Sequence, residues 1–139
     1  CAVRDYCSDD VAEFAIPLAC ALAKNTKTYN CQIDDQKIWD YSKASPQKRL
    51  SEHVLGIFGL GRIGQKTLRL ARGLGMKVVA YDPYLPKEIA KTLDVKLLSK
   101  EDAFKKCDLL INHMRLTAET KNFFSSSAFF KKDPTQGGA

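Results

Sequence analysis

Gly59-Leu60-Gly61-Arg62-Ile63-Gly64 is a G-x-G-x-x-G string, and its glycines are spaced for work on a phosphate. The first permits a tight turn. The second lets the backbone approach a pyrophosphate with no Cβ in the way, and the third lets a new helix pack closely on the strand before it. The helix start then offers free N–H groups and a positive dipole end to the phosphates. Glycines cluster in many turns, so the string carries weight only in its context. Here the apolar run Val54-Leu55-Gly56-Ile57-Phe58 comes directly before it, and helical periodicity follows directly after. An acid is then required at the end of the next strand, about 20 residues on, to hold the ribose hydroxyls. Asp82 stands 18 residues after Gly64, behind the apolar run 77–81. A carboxylate there would repel a 2′-phosphate, so the pattern points to NAD rather than NADP. Strand, glycines, helix, strand and acid in this order argue against an incidental turn with a surface aspartate. His113-Met114-Arg115 follows a third apolar run. Ligands of open parallel sheets bind beyond the carboxyl ends of the strands. His113 therefore either contacts the nicotinamide half of the cofactor or is a loop histidine satisfied by a hydrogen bond.

Other reactive types give less. The five cysteines, at 1, 7, 20, 31 and 107, form no CxxC, and two histidines are too few to complete a zinc site with them. No metal is expected. Cys20 and Cys107 lie in apolar stretches and read as buried small hydrophobes. Unpaired cysteines fit a reducing, cytoplasmic setting. His53 precedes the first strand at the end away from the glycines and reads as structural or surface. Asp34-Asp35 reads as a solvated pair. Lys and Arg number 22 against 16 Asp and Glu, and residues 51–139 hold all the excess. The bases are dispersed and no nucleic-acid-binding motif accompanies them, so they read as a solvated surface. The apolar run 15–23 is too short to span a bilayer, and no secretory signal pattern opens the chain. Neither a nucleic-acid nor a membrane partner is expected.

The elements that must position these residues follow from periodicity. Ser8-Asp9-Asp10 starts a helix in which Val11, Phe14, Ala15, Leu18, Ala19 and Leu22 recur at helical spacing, with Pro17 inside the pattern and a kink expected near Glu13. A second helix is predicted within 25–41, with Ile33, Ile38 and Trp39 as apolar contacts, and a linker at 42–51. Strands are predicted at 54–58, 77–82, 95–98 and 109–113. Helices are predicted at 62–74, ending at Gly75, and at 87–93. A further helix opens with the capping box Ser99-Lys100-Glu101-Asp102, and 128–132 ends a last one. At 139 residues, with 45% hydrophobic and 27% charged residues, the chain is one domain or part of one. Alternating strands and helices predict an α/β fold with a parallel sheet, and read as half of a doubly wound dinucleotide-binding domain its strand order is 3-2-1-4. Residues 1–50 read as a helical arm and linker, and residues 51–139 as a partial NAD-binding domain.

The ordered motifs resemble the nucleotide-binding domain of D-isomer-specific 2-hydroxyacid dehydrogenases. That family includes phosphoglycerate, glycerate, formate and D-lactate dehydrogenases and the C-terminal-binding corepressors. The resemblance runs through Asp5-Tyr6-Cys7 with Val11-Ala12-Glu13-Phe14-Ala15, then Arg49-Leu50, the glycine string to Gln65, Tyr81-Asp82-Pro83-Tyr84, and Leu116-Thr117-Ala118-Glu119-Thr120. It implies a Rossmann-type three-layer parallel sheet, here truncated. It implies that Arg62 and Ile63 contact the pyrophosphate through the helix start, in a cofactor-binding set with Gly59, Gly61 and Gly64, and that Asp82 holds the ribose. His113, Met114 and Arg115 would lie beside the adenine or nicotinamide. The family usually has Pro where this chain has Arg115, so the ring that would stiffen this loop is missing. Because the first helix forms much of the family's dimer interface, a homodimer is implied.

Family enzymes anchor the substrate carboxylate with an Arg and use a Glu-supported His as acid/base at the carbinol. The Glu and His lie later than this sequence extends. Gln136 stands where the Arg would precede two glycines, with a strand-forming stretch missing before it; no catalytic role is assigned to it. The substrate domain is likewise missing. The expectation is the NAD-binding portion of an oxidoreductase for D-2-hydroxy or 2-oxo acids, inactive alone. The alternatives are a non-enzymatic, NAD-sensing corepressor-like module or an inactive remnant.

Overall fold

Short apolar, β-branched runs bounded by Gly or Pro pair as parallel strands when helices separate them. The computed structural model describes residues 6–40, 42 and 48–125. Among these, β1 (Val54–Phe58), β2 (Lys77–Tyr81), β3 (Lys96–Leu97) and β4 (Leu109–Asn112) form one parallel sheet in the order β3-β2-β1-β4. That is the order expected. The helices are α1 (Ser8–Ala23), α2 (Thr26–Asp34), α3 (Arg62–Gly73), α4 (Lys87–Thr92) and α5 (Lys100–Lys106). The predicted segment 128–132, Gln136 and residues 43–47 of the linker lie outside the described residues.

Strand β1 is central and buried from Leu55 onward, so both of its faces are packed. Leu55 and Ile57 point to one side, where they join Ala80, Leu68 and Ala71 of α3, and Ile16 and Ala19 of α1 in one core. Each such large side chain, fully buried, contributes about 1.5–3 kcal/mol. Gly56 and Phe58 point to the other side, toward α5. A Cβ on Gly56 would lie 2.9 Å from Cys107 Cβ, so the glycine lets the end of α5 sit directly on the strand. Phe58 stacks against Tyr81 at 5.6 Å, Phe104 at 5.0 Å and Phe124 at 5.4 Å between ring centroids. The result is helix, sheet and helix in three layers.

The ends of the helices follow the sequence closely where a glycine or a capping residue sets them. Leu74 caps α3, and Gly75 then takes φ +75°, left-handed backbone that glycine adopts freely. Gly75 N donates to Arg72 O (2.8 Å) and Met76 N to Ala71 O (3.1 Å), the paired bonds of a Schellman ending. At α5, Ser99 Oγ accepts from Asp102 N (3.1 Å), the N-cap bond of a capping box, and the Asp102 carboxylate accepts from the Ser99 hydroxyl (3.0 Å) rather than from its backbone N–H. Arg72 donates to the carbonyls of Leu93 and Asp94, tying α3 to the end of α4.

Two expectations about apolar contacts are corrected. Helix α2 lies within the predicted 25–41 and ends at Asp34, after which Lys37 turns left-handed (φ +54°) and Ile38 N donates back to Gln32 O (2.8 Å). Ile33, Ile38 and Trp39 are consequently exposed, Trp39 by 83%. In α1 the packed face is Ser8, Ala12, Ile16, Ala19 and Ala23, not the larger apolar residues. Small side chains let α1 lie close on α3, which leaves Phe14, Leu18 and Leu22 exposed by 53–70%. The helix runs through Pro17, which is exposed. Cys107 is buried as expected, whereas Cys20 is half-buried. The His53 ring is largely buried at the far end of β1, 4.0 Å from Asp108, and neither nitrogen has a hydrogen-bond partner. Among the described residues, no helix is long and apolar enough to cross a membrane.

Candidate functional site: a cleft at the carboxyl ends of three strands

Strand register sets the site. Phe58 pairs with Tyr81 on one side and with Asn112 on the other. Gly59, Asp82 and His113 each follow one of these residues, so they stand in a row at the carboxyl edge of the sheet. Gly59 N donates to Tyr81 O (2.9 Å) and His113 N to Phe58 O (2.8 Å), which continues the ladder one residue into the loops. Above this row opens a cleft of about 660 Å³. Gly59 and Gly61 contribute from the β1 side. Tyr81, Asp82, Pro83 and Tyr84 come from β2 and its loop. The third wall, from the β4 side, holds His113, Met114, Arg115, Thr117 to Thr120, and Phe123.

The three motif glycines do three different things. Gly59 has φ +92°, and a Cβ there would lie 2.9 Å from the backbone of His113 and Met114. Gly64 is buried, and its Cβ would fall 2.1 Å from Gly59 O, so α3 can touch β1 only with glycine here. Gly61 is the opposite case: its backbone is extended, and among the described residues nothing beyond its chain neighbours lies within 4 Å of where a Cβ would be. Packing does not require this glycine. It leaves open space at the N-cap of α3, and no side chain caps that end. The first N–H groups of a helix lack intrahelical partners, so an end of this kind is chemically able to receive an anion. Arg62 and Ile63 stand on the first turn, outside the cleft lining, and Gly64 lies beneath it.

Asp82 does more than sequence reasoning assigned to it. Its Oδ2 accepts from Leu60 N (2.8 Å) and its Oδ1 from Tyr84 N (2.9 Å). The carboxylate thus braces the glycine turn and its own loop. A carboxylate offers about four acceptor positions, so two remain for hydroxyls of a ligand. Gln65 Nε2 donates to Leu60 O (3.0 Å) and closes the turn from the α3 side.

Thr67 of α3 lies 2.9 Å, Oγ1 to Nε2, from His113, whose ring is thereby held toward the helix. Burial holds the His113 pKa below its ordinary 6.5, so the ring is neutral at neutral pH. The loop beyond it is clasped without a proline. Met114 N donates to Asn112 Oδ1 (2.9 Å), Thr117 N to Thr120 Oγ1 (2.7 Å), and Thr120 Oγ1 to Arg115 O (2.7 Å). Arg115 is exposed and lines the cleft. Tyr84 and Glu119, which sequence reasoning did not single out, meet across it through a hydrogen bond from the Tyr84 hydroxyl. Their sequence signal was membership of the two segments, Tyr81-Asp82-Pro83-Tyr84 and Leu116-Thr117-Ala118-Glu119-Thr120, that carry the resemblance after β2 and β4. Among the described residues, no group of three His, Cys, Asp or Glu could hold a metal ion.

Comparison with known proteins identifies the kind of domain. Residues 16–136 match the family described as D-isomer specific 2-hydroxyacid dehydrogenase, NAD binding domain. The chain is 35% identical over 120 residues to D-3-phosphoglycerate dehydrogenase 2, chloroplastic, of Arabidopsis thaliana, covering 86% of this chain and 19% of that protein. It is 33% identical over 132 residues to D-3-phosphoglycerate dehydrogenase of Methanocaldococcus jannaschii, covering 93% and 25%. The structure of TP0037 from Treponema pallidum, a D-lactate dehydrogenase, superposes with TM-score 0.84 at 26% identity, over 94% of this chain and 39% of that one. The chain therefore spans a quarter or less of the length of these two curated relatives. Sheet order, glycine cradle and family match agree: the chain belongs to the D-isomer specific 2-hydroxyacid dehydrogenases, as their NAD-binding domain.

Proposed function

We propose that this chain holds NAD for an oxidoreductase acting on D-2-hydroxy acids or the corresponding 2-oxo acids. The observation that carries the reading is the open cradle at Gly61, sharing one cleft with the carboxylate of Asp82. The residues fit a dinucleotide. Pyrophosphate oxygens would meet the uncapped N–H groups of Arg62 and Ile63 over Gly61, with Gly59 and Gly64 holding the turn. The adenosine ribose would take the free acceptor positions of Asp82. The backbone of His113 and the side chains of Met114 and Arg115 would line the wall beyond. Bound NAD supplies the hydride acceptor or donor. The protein's share in these residues is binding, orientation and exclusion of 2′-phosphorylated analogues.

A 2-oxo acid also needs an anchor for its carboxylate and a proton donor at the new alkoxide. Among the described residues we assign neither. His113 is engaged with Thr67, and His53 lies at the opposite end of β1. Residues 1–50 are proposed as an arm whose α1 serves a homodimer, and a cytoplasmic setting fits the four free cysteines among the described residues.

The experiment is a fluorescence titration of the 139-residue chain with NADH and NADPH, together with an assay of NADH consumption on a panel of 2-oxo acids. The reading predicts saturable NADH binding, NADPH binding weaker by about tenfold or more, and no turnover. Preference for NADPH would overturn the role given to Asp82. Turnover would overturn the assignment of catalysis to residues elsewhere.

A further inference from the structure

The two walls of the cleft are joined by the ring contact of Tyr81 with Phe123 (5.4 Å between centroids) and, between residues 35 apart on their exposed loops, by the hydrogen bond of Tyr84 to Glu119. We propose that this pair is a strap over the adenosine end of the cleft, and that NAD enters and leaves only when their hydrogen bond parts. The proposal rests on the assignment of Asp82 to the adenosine ribose, since Tyr84 lies two residues beyond it on the same wall.

Each end of the strap stands on a fixed base. Tyr84 N is held by Asp82 Oδ1 (2.9 Å). The loop bearing Glu119 is clasped by the Thr117 and Thr120 bonds and by Thr120 Oγ1 on Arg115 O (2.7 Å). The contact between the ends is different in kind. Tyr84 is 76% exposed and Glu119 is exposed, so their bond is made in water. Water competes for both partners, and such a bond opens readily while its bases stay in place. The strap also shares a group with the site: the carboxylate proposed for the ribose is the one that positions Tyr84. The Glu119 carboxylate, by accepting this bond, raises the Tyr84 hydroxyl above its ordinary pKa of 10, so the donor keeps its proton throughout the neutral range.

Gating differs from ordinary contact in its kinetics. A residue that only touches bound cofactor slows release and leaves association alone. A strap that closes over both the empty and the filled cleft slows both steps. Stopped-flow NADH fluorescence on the 139-residue chain separates the two, using wild type, Tyr84→Phe, Glu119→Ala and the double variant. Each single variant is expected to raise association and dissociation rates together by about three- to tenfold, the range of an exposed hydrogen bond to a charged group. Kd should change by less than about twofold, and the double variant should match either single one, because both remove the same contact. Unchanged rates in either single variant would overturn the strap. So would faster dissociation alone, or effects that add in the double variant. An absence of NADH binding in wild type as well would instead overturn the NAD reading beneath it. Thermal melts should coincide for all four proteins, since both side chains lie on exposed loops.

Discussion

At Gly59, Gly61 and Gly64 the same missing Cβ answers three needs: a positive φ, an open space and a 2.1 Å approach of helix to turn. These were legible in the sequence because few other demands put three glycines at that spacing between a strand and a helix. Asp82 was legible for the same reason. Its bonds to Leu60 N and Tyr84 N were not, since a carboxylate's choice of backbone partner depends on how two loops meet. The orientation of His113 toward Thr67 was equally hidden, because 46 residues separate them. That burial has a consequence for stability. The folded His113 has a pKa below 6.5, so at pH values between the two the unfolded chain takes up a proton that the folded chain refuses. The contribution is fully present above the unfolded pKa and is lost as pH falls through and below it. Urea unfolding across this range should show stability declining on acidification, with a shallower decline in His113→Gln. An identical slope in the variant would show that His113 is not the group responsible.

Among the elements, boundaries marked by a glycine or a capping box fell where sequence placed them, at Gly75 and Ser99. The end of α2 within 25–41 was unmarked, because a lysine at φ +54° carries no sequence signature of a left-handed turn. In α1 the periodicity was right, but which face packs inward was not evident. Two adjacent faces are apolar. The one with small residues lies on α3, because alanines at 12, 19 and 23 allow a close approach. The larger face keeps Phe14, Leu18 and Leu22 in solvent. A contiguous stripe of this kind marks an interaction surface, and it fits the homodimer proposed for the arm. Leu18→Glu changes this stripe and spares Ala12, Ile16 and Ala19. Sedimentation should find the wild-type chain dimeric and the variant monomeric at the same concentration, with helix content preserved. A variant that sediments as wild type does would remove the stripe from the interface.

For the molecule as a whole, alternating strands and helices predicted a parallel sheet with right-handed crossovers, and the dinucleotide-binding reading supplied its order. The cleft follows from that order: β1, β2 and β4 end together, and their next residues form one row. What the sheet order could not predict was the second tier of loop contacts, from Thr117–Thr120 to Tyr84–Glu119, which depends on side chains meeting after the fold has formed. The central claim is that the space above Gly61 is kept for a cofactor phosphate and for nothing structural. Its most direct test is calorimetric titration of NAD into the 139-residue chain and into Gly61→Val, with a thermal melt of each. Among the described residues, nothing but Gly61 and its two chain neighbours lies within 4 Å of the added Cβ, so the melt should hold within about 2 °C. Wild type should bind NAD at one saturable site, and the variant should lose at least about a hundredfold in affinity. Equal affinity in the two proteins, or no saturable binding by the wild type, would contradict the account.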